Sequence, residues 1–453
     1  MTISAALHRG DDEAPEKHGD RGLVAIVGGG IVGACLAAGL QGRGVSVVVY
    51  ERASNFHEIG AGIAFTGVAQ KCMAQLSPDI LEALMRVSNK NEHTQDNYWD
   101  GFHRGNNNNN NNNDNAVSDG PKLLFSLPNA KMEWRGCLRS AFLDELSRVL
   151  PQGVVKFDKE LVSYEDKGYY GGGVSLRFTD GSIAECDVLI GCDGINSSIR
   201  QQMFSSSHPE ACKAQFTSKT SYRFLLPIDL FISTLGQSKA HNHCMLTGPG
   251  AHILSYPVAQ MTMSNVVVFV TDDDTATSRA DREDILERFA SWRPEVRSLM
   301  AHTPDTPMSW RIYDIKNPVP SYSQGNVTLA GDSAHASSPH HGAGAGFGVE
   351  DALALTSVLA EAMVEDPAHR PQALAAALEA YNLVRYDRTQ WLVRSSRETG
   401  DIYEWMYPAS GSDPSKIKAE LAARQQKIWE FDVDEMINSV TRKYHSGLET
   451  RLS

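Results

Sequence analysis

Residues 23–51 constrain the fold of this chain more than any other stretch, because they read as a strand, a glycine-rich turn, a helix and a second strand. The first strand is apolar and β-branched, which is typical of a strand buried on both faces of a parallel sheet. Gly28, Gly30 and Gly33 follow with the spacing G-x-G-x-x-G. These glycines permit a tight turn, close approach of a pyrophosphate, and close helix packing. Glu51 ends the second strand, where an acid accepts hydrogen bonds from ribose hydroxyls. The stretch predicts a dinucleotide-binding unit.

Composition and charge indicate a globular protein with a small-molecule partner. The 453 residues are 42% hydrophobic and carry a formal net charge of −13, which gives no electrostatic attraction to nucleic acid or anionic lipid. Residues 1–20 lack the apolar segment of a signal peptide, and no stretch predicts a membrane span. Seven scattered cysteines without a C-x-x-C pair are typical of reduced thiols, and no cluster has metal-site spacing. We expect a cytoplasmic protein without a bound metal.

Further motifs stand where strands end or helices begin, which is where ligands gather in open α/β sheets. Arg139 opens an amphipathic helix. Asp193 and Gly194 follow one buried strand, and Asp332 follows another. Residues 339–348 are dense in glycine and precede a helix, so their N–H groups can face an anion or a carbonyl. Each motif alone also fits an ordinary turn or a surface side chain, so only their combination predicts a ligand site.

The middle of the chain predicts a second, mostly antiparallel sheet. Residues 204–319 alternate strand patterns, and two polar residues, Arg223 and Tyr256, lie inside such strands. Both fit the wall of a pocket, and both also fit an ordinary strand position.

Together these patterns predict an α/β protein in which a Rossmann-like domain is interrupted by a substrate domain and followed by helices. Residues 103–121 include eight consecutive asparagines and are too polar to pack, so we expect a disordered loop there and at residues 1–20. The C-terminal helices offer a surface for a homodimer. The predicted segments are 1–85, 131–204 and 319–371 for the Rossmann-like domain, 86–130 and 205–318 for the substrate domain, and 372–453 for the helices.

The order of these motifs, ending in a GD pair followed by PHHGAGAGFGVEDA, resembles the FAD-dependent aromatic hydroxylases of the para-hydroxybenzoate and salicylate hydroxylase superfamily over nearly the whole chain. Ala343 and Gly346 depart from the commonest loop form, G-Q-G-x-N, and salicylate-type members share that departure. The phrases EIGAGIAFT, PHHGAGAG, HILSYPVA and KIWEFD are similar to fungal monooxygenases that dearomatise polyketide phenols in tropolone, azaphilone and sorbicillinoid pathways.

The resemblance implies a role for each candidate residue. Arg223 and Tyr256 would be the catalytic residues that anchor a phenolate. Asp193 would serve both FAD and NAD(P)H, Asp332 the ribityl chain, and the loop at 339–346 the N1–C2=O edge of the flavin. The full set implied for bound, non-covalent FAD is Gly28, Gly30, Gly33, Glu51, Gly62, Arg139, Asp193, Asp332, Gly342, Ala343, Gly344, Ala345 and Gly346.

The resemblance also implies a single-component monooxygenase of secondary metabolism. NADPH or NADH would reduce FAD, O2 would give a C4a-hydroperoxyflavin, and its distal oxygen would pass to an electron-rich phenol such as a methylated resorcinol aldehyde or ketone. Attack at a methylated carbon would dearomatise the ring. Two alternatives stay open. One is a salicylate-type decarboxylating hydroxylase, and the other is a non-catalytic module of related fold that binds prenylated GTPases.

Overall fold

The structure, a computed structural model, describes residues 22–56, 62–90, 95–102, 121–128, 134–168, 172–272 and 281–453. The predicted disordered segments, residues 1–20 and all but the last residue of 103–121, lie outside this described part.

Nineteen strands occur in the described residues. In chain order they are β1 (Leu23–Val27), β2 (Ser46–Tyr50), β3 (Gly62–Phe65), β4 (Asn89–Lys90), β5 (Gln95–Asp100), β6 (Lys122–Pro128), β7 (Arg135–Leu138), β8 (Val155–Lys156), β9 (Leu161–Asp166), β10 (Val174–Phe178), β11 (Ile183–Cys186), β12 (Val188–Gly191), β13 (Gln215–Pro227), β14 (Cys244–Gly248), β15 (Ala251–Val258), β16 (Met263–Thr271), β17 (Met308–Asp314), β18 (Ser323–Gln324) and β19 (Val327–Leu329).

Fourteen α-helices and two short 3₁₀ helices, Pro209–Ala211 and Pro339–His341, complete the described elements. The α-helices are α1 (Ile31–Gln41), α2 (Gly67–Leu76), α3 (Pro78–Val87), α4 (Arg139–Val149), α5 (Ser198–Phe204), α6 (Ile228–Leu235), α7 (Gln237–Ala240), α8 (Arg282–Arg288), α9 (Pro294–Met300), α10 (Asp332–His335), α11 (Gly344–Ala362), α12 (Arg370–Tyr403), α13 (Pro414–Trp429) and α14 (Val433–Leu452). None of these helices is long and apolar enough to cross a membrane.

The first sheet is the predicted dinucleotide-binding sheet. Its strand order is β18-β19-β12-β1-β2-β8, and β1 pairs in parallel with both β2 and β12. Every residue of β1 is buried, as its apolar sequence predicts. Because β12 also pairs in parallel with β19, the carboxyl ends of β1, β2, β12 and β19 share one edge. That edge gathers the glycine turn, Glu51, Asp193 and Asp332.

A small antiparallel meander follows this sheet in the order β11-β10-β9. The sequence predicts the meander from strand patterns at residues 154–157, 161–164 and 174–178. Each stretch contains a strand, but the first strand does not belong to the meander. Residues 155–156 instead form β8, which extends the six-stranded sheet by pairing in parallel with β2. The third meander strand is β11, which pairs with β10 after the turn.

The second sheet has seven strands in the order β17-β13-β16-β15-β14-β5-β6. All of its pairings are antiparallel except that between β14 and β5, so the predicted mostly antiparallel sheet is confirmed. Helices α6, α8 and α9 cover one face with side chains such as Phe231, Ile285 and Leu299. The sequence reading missed these helices, because they are short and lie between strong strand patterns.

The opposite face of the seven-stranded sheet contacts the described residues of the predicted Rossmann-like segments 1–85, 131–204 and 319–371, which we call the nucleotide-binding half. The ring of Phe269 on β16 lies 5.0 Å from the ring of His340, which belongs to the 3₁₀ helix before α11. The same face meets β3, where a side chain at Gly62 would overlap the hydroxyl of Tyr256. A ligand held on this face therefore lies against the glycine-dense loop and β3.

The C-terminal region is helical, as predicted, but its helices have different bounds. The sequence pattern predicts one helix at residues 373–388 and another at 416–444. The first is part of α12, which continues to Tyr403 because buried residues such as Leu392 and Ile402 extend its packed face. The second is divided into α13 and α14. The break falls at Asp432, whose side chain accepts a hydrogen bond from the N–H of Glu435 and so caps α14.

Candidate functional site

The glycine turn between β1 and α1 uses its three glycines for different purposes. Gly28 has φ +106°, and a side chain there would overlap the carbonyl oxygen of Cys192. A side chain at Gly33 would overlap the carbonyl oxygen of Gly28, so this glycine allows the helix to pack closely. At Gly30 the nearest group to an added Cβ is the guanidinium of Arg139, at 3.9 Å. The turn is therefore open at Gly30, with the cation of Arg139 facing it.

Glu51 follows β2 and turns back to the glycine turn. One carboxylate oxygen accepts a hydrogen bond from the N–H of Gly29 at 2.6 Å, and the other accepts one from the N–H of Ala53 at 2.9 Å. A carboxylate has about four acceptor positions, so each oxygen can accept a further hydroxyl. Glu51 thus presents acceptor capacity beside the open turn, where the sequence predicts ribose.

Asp193 follows β12 and lies against the same turn. Its Oδ2 accepts hydrogen bonds from the N–H groups of Ser198 and Ile199, at 2.8 and 3.2 Å, which fixes the start of α5. Its Oδ1 is buried and has no hydrogen-bond partner in the described part of the chain. An orphaned buried acceptor is unfavourable unless a ligand satisfies it. Gly194 follows with φ +79° and provides the turn into the helix.

Asp332 and the glycine-dense loop complete the edge. Gly331 has φ +63°, and a Cβ added there would lie 3.0 Å from the side chain of Val32. The GD pair, Gly331 and Asp332, therefore packs on the first turn of α1. The side chain of Asp332 is exposed. Helix α11 begins at Gly344 without a side-chain cap. Its first N–H groups have no intrahelical acceptor, and the helix dipole favours negative charge there.

The residues at this edge fit the FAD that the sequence predicts. They provide an open glycine turn, a cation beside it, two carboxylates with free acceptor capacity, an exposed aspartate and an uncapped helix N-terminus. Of the predicted cofactor set, Gly28, Gly30, Gly33, Glu51, Arg139, Asp193 and Asp332 meet at this edge, whereas Gly62 contacts the seven-stranded sheet.

Arg223 and Tyr256 lie on the face of the seven-stranded sheet that contacts the nucleotide-binding half. Arg223 on β13 pairs with Val267 on the interior strand β16, and Tyr256 on β15 pairs with Asn265 on the same strand. The two side chains therefore lie on either side of β16, and their partners on that strand are two residues apart. The guanidinium of Arg223 also lies 5.2 Å from the centre of the half-exposed Trp310 ring at the sheet edge.

Burial sets the protonation of both groups. Burial lowers the pKa of the Arg223 guanidinium, and the neighbouring Tyr256 opposes that shift. Burial raises the pKa of the Tyr256 hydroxyl well above its usual range, and Arg223 opposes that shift only partly. An arginine stays charged despite such a shift, because its ordinary pKa is above about 12. The pair therefore offers a cation and a neutral hydroxyl donor.

A buried ionic cluster supports the GD pair, and the sequence reading missed it. Asp351 on α11 accepts hydrogen bonds from the N–H of Gly331 at 3.0 Å and from Arg385 Nε at 2.8 Å. The same carboxylate lies 2.5 Å from Nε2 of His335. His335 is thus a structural residue of α10. The residues come from three distant segments, so no local motif indicates the cluster.

A second buried cluster joins the two halves through His252, His340 and Glu404. Their possible ligand atoms lie within 4.8 Å of one another. However, Lys219 donates to the Glu404 carboxylate at 2.5 Å and already neutralises it. A metal cation beside a buried ammonium is unfavourable. The expectation of a protein without a bound metal stays a prediction, and the positions of these histidines indicate a structural contact.

Comparisons with known proteins match this chain to FAD-dependent monooxygenases. A family model described as an FAD binding domain matches residues 22–396. The FAD-dependent monooxygenase SAT7 of Stachybotrys chartarum is 52% identical over 438 residues, which cover 93% of this chain and 92% of the relative. Salicylate hydroxylase asL1 of Sarocladium schorii is 42% identical over 460 residues, covering 96% and 92%. A solved salicylate hydroxylase substrate complex has 29% identity and a TM-score of 0.78, covering 93% of this chain and 98% of that chain.

These matches confirm the predicted family, fold class and cofactor. The enzyme uses FAD, with NAD(P)H and O2 as the co-substrates typical of the family, and the alternative of a non-catalytic binding module is set aside. The chain belongs to the FAD-dependent aromatic monooxygenases of the para-hydroxybenzoate and salicylate hydroxylase superfamily, and its relatives include fungal FAD-dependent monooxygenases.

Proposed function

We propose that this monooxygenase hydroxylates a phenolic polyketide-type substrate, such as a methylated resorcinol aldehyde or ketone, and dearomatises its ring. The observation that carries the proposal is the environment of Arg223. Its Nε is buried without a hydrogen-bond partner, and no carboxylate among the described residues forms an ion pair with it. Arg223 is partly buried, and a partly buried cation without a counter-ion favours an anionic ligand such as a phenolate.

Tyr256 supplies the second contact. Because its pKa is raised by burial, the hydroxyl stays protonated at neutral pH and donates a hydrogen bond to the same phenolate oxygen. Charge on that oxygen makes the ring electron-rich, and the two donors fix its orientation on the sheet. The two residues therefore act on the substrate by binding its anionic form.

The cofactor determines the reaction of the bound phenolate, which is the addition of an oxygen atom to the ring. When bound, FAD supplies an electrophilic oxygen atom from O2 after reduction by NADPH or NADH. If the ring carbon that receives the oxygen carries a methyl group, that carbon has no proton to lose. Aromaticity is then not restored, and the product is a dearomatised ketone.

We propose that FAD is held by the carboxyl edge of the six-stranded sheet, through the residue set that the resemblance implies. Gly28, Gly30, Gly33, Glu51 and Arg139 would hold its ADP half. Beyond the turn, the members at this edge are Asp193, Asp332, Gly342, Ala343, Gly344, Ala345 and Gly346, and the set also includes Gly62, which lies on β3 away from this edge.

Replacing Asp332 by alanine is expected to lower flavin occupancy, because an exposed charged acceptor for the ribityl chain is lost. The loss corresponds to roughly 1.5–3 kcal/mol of binding free energy, or about tenfold to a hundredfold in the dissociation constant. The ratio of flavin absorbance to protein absorbance measures it. Asp229→Ala is the control, because Asp229 is an exposed residue of α6 on the far face of the other sheet. Full FAD retention with normal turnover in Asp332→Ala would remove Asp332 from the site.

A salicylate-type decarboxylating hydroxylation is the second candidate. It is favoured by the similarity to a relative and to a solved structure that are both named salicylate hydroxylase. In that reaction Arg223 would bind the substrate carboxylate, for which a guanidinium is suited because it donates two parallel hydrogen bonds.

Product analysis separates the two reactions. The purified enzyme is incubated with NAD(P)H and either salicylate or a methylated dihydroxybenzaldehyde, and the products and released CO2 are measured. The proposal predicts oxidation of NAD(P)H stimulated by the aldehyde, with a product heavier by one oxygen atom and no CO2. Conversion of salicylate with CO2 release, and no conversion of the aldehyde, would establish the second candidate instead.

We also propose a cytoplasmic location, a homodimer formed through the C-terminal helices, and the segment boundaries given under Sequence analysis. The free state of all seven cysteines in the structure supports a reducing compartment.

A further inference from the structure

A third polar side chain, Asn265, lies on the sheet face that carries Arg223 and Tyr256. It stands on β16, between β13 and β15, directly opposite Tyr256 on β15 and Leu225 on β13. Its neighbours Val266 and Val268 belong to the apolar cluster under helices α6–α9. Successive side chains of a strand alternate between faces, so Asn265 points to the opposite side, toward the nucleotide-binding half.

The amide of Asn265 lacks a partner in a buried position. The residue is only 3% exposed, and its Nδ2 has no hydrogen-bond partner in the described part of the chain. Buried amide donors are almost always satisfied, because an unpaired donor loses its hydrogen bonds to water without replacement. An orphaned donor next to two substrate-binding side chains therefore indicates an acceptor on the ligand.

Close packing on β3 holds this amide beside the Tyr256 hydroxyl. An added Cβ at Gly62 would overlap the Tyr256 Oη and would also lie 3.0 Å from the Asn265 Cγ. Both polar groups thus approach the same point of the β3 backbone. Because that contact restricts their movement, their spacing is fixed before any ligand binds, which is what a specificity site requires.

Each of the three side chains can offer a hydrogen-bond donor to one ligand. Arg223 has no acceptor atom, Tyr256 stays protonated because burial raises its pKa, and the Asn265 Nδ2 donates. Arg223 and Tyr256 suit one anionic oxygen, so the neutral amide suits a second, uncharged oxygen acceptor. A phenol with a carbonyl group on the neighbouring ring carbon carries two such oxygens at a short, fixed separation.

We propose that Asn265 is a specificity-determining residue that donates a hydrogen bond to the carbonyl oxygen of an aldehyde or ketone next to the phenolate. The proposal rests on the proposed function, since it takes Arg223 and Tyr256 as the phenolate site. It adds a substrate requirement, which is a carbonyl group on the ring carbon next to the one that carries the phenolate oxygen.

The test compares two ligands on the FAD-loaded enzyme. Dissociation constants are measured from the change in flavin absorbance for a methylated dihydroxybenzaldehyde and for the same phenol with a methyl group in place of the formyl group. Asn265→Leu keeps a similar volume without the donor, and Asn265→Asp keeps the shape but replaces the donor by an acceptor. We expect each variant to weaken aldehyde binding about tenfold and to change binding of the methyl analogue by less than about twofold.

Ser264→Ala provides the matched control. Ser264 precedes Asn265 on the same strand, is equally buried, and also has an unpartnered polar atom, but it points to the helix-covered face. Its variant should bind both ligands like the wild type. Equal weakening of the two ligands in both Asn265 variants, or unchanged aldehyde binding in either folded variant, would overturn the proposal.

The outcome is independent of the reaction type, because binding needs no turnover. A wild type that distinguishes the ligands through Asn265 but gives no dearomatised product would retain this inference and reject the proposed function. A dearomatised product with no effect of Asn265 on ligand discrimination would reject this inference alone.

Discussion

Replacing Arg223 by glutamine is expected to uncouple NAD(P)H oxidation from product formation. The variant keeps a polar side chain with an N–H donor but removes the only positive charge that we assign to the phenolate. Loss of one preorganised donor to a reacting oxyanion costs about 2.7–4 kcal/mol, which corresponds to roughly a hundredfold to a thousandfold in rate. FAD binding should persist, because Arg223 lies on the seven-stranded sheet and away from the glycine turn.

The measurement is the ratio of product formed to NAD(P)H consumed, with flavin content determined in the same sample. Arg311→Gln is the matched control, because Arg311 is an exposed arginine of the same sheet that pairs across from Thr220 and packs over Phe216. That variant should keep the wild-type ratio. An unchanged ratio in Arg223→Gln would remove Arg223 from the substrate site.

Replacing Asp351 by alanine is expected to destabilise the whole nucleotide-binding half. The side chain is fully buried and is bonded to Gly331, His335 and Arg385. Among the described residues, its removal leaves Arg385 with only Glu350 as a counter-ion, at 2.7 Å, and leaves the N–H of Gly331 without its acceptor. Removing one member of a buried ionic cluster costs about 3–5 kcal/mol. Thermal unfolding should show this loss, and flavin occupancy should fall with it because Gly331 positions Asp332.

The stabilisation contributed by Asp351 depends on pH, and the direction of the dependence follows from its pKa. Burial alone would raise the pKa of Asp351, but the charges and hydrogen bonds of His335 and Arg385 outweigh burial and hold this pKa below its usual value. The stabilisation is therefore fully present above the unfolded pKa of about 3.9 and is lost as pH falls through the folded pKa. The difference in unfolding free energy between wild type and variant should be largest near neutral pH.

An exposed ion pair between Asp434 and Lys71 provides the comparison for Asp351→Ala. Asp434, whose side chain is 61% exposed, forms an ion pair with Lys71 at 2.6 Å. Exposed pairs contribute at most about 1 kcal/mol, so Asp434→Ala should change the unfolding temperature little. If Asp351→Ala were no more destabilising than Asp434→Ala, the buried cluster would not support the GD pair as we describe.

Local spacing explains what the sequence could predict. The glycine turn, Glu51 and the GD pair stand at strand ends, and the rule that parallel strands share their carboxyl edge is enough to gather them. The ends of the C-terminal helices were harder to predict from the sequence. Buried residues beyond Arg388 extend α12, whereas the cap at Asp432 stands inside a continuous helical pattern.

Long-range contacts account for what the sequence could not predict. Asn265 lies in the plain strand pattern SNVVVF, and nothing local distinguishes its unpartnered amide from an ordinary polar strand residue. His252, His340 and Glu404 meet only because the substrate sheet, the loop before α11 and α12 pack together. The helices α6–α9 are too short for a clear periodicity between strong strands.

The most direct test of the central claim is the fate of isotopically labelled O2 with a methylated dihydroxybenzaldehyde as substrate. The product is analysed by mass spectrometry and by carbon NMR. We predict that one labelled oxygen atom is incorporated and that the methyl-bearing ring carbon becomes a tetrahedral carbon attached to that oxygen. A labelled product whose ring is still fully aromatic, or NAD(P)H oxidation that yields only hydrogen peroxide, would contradict the account.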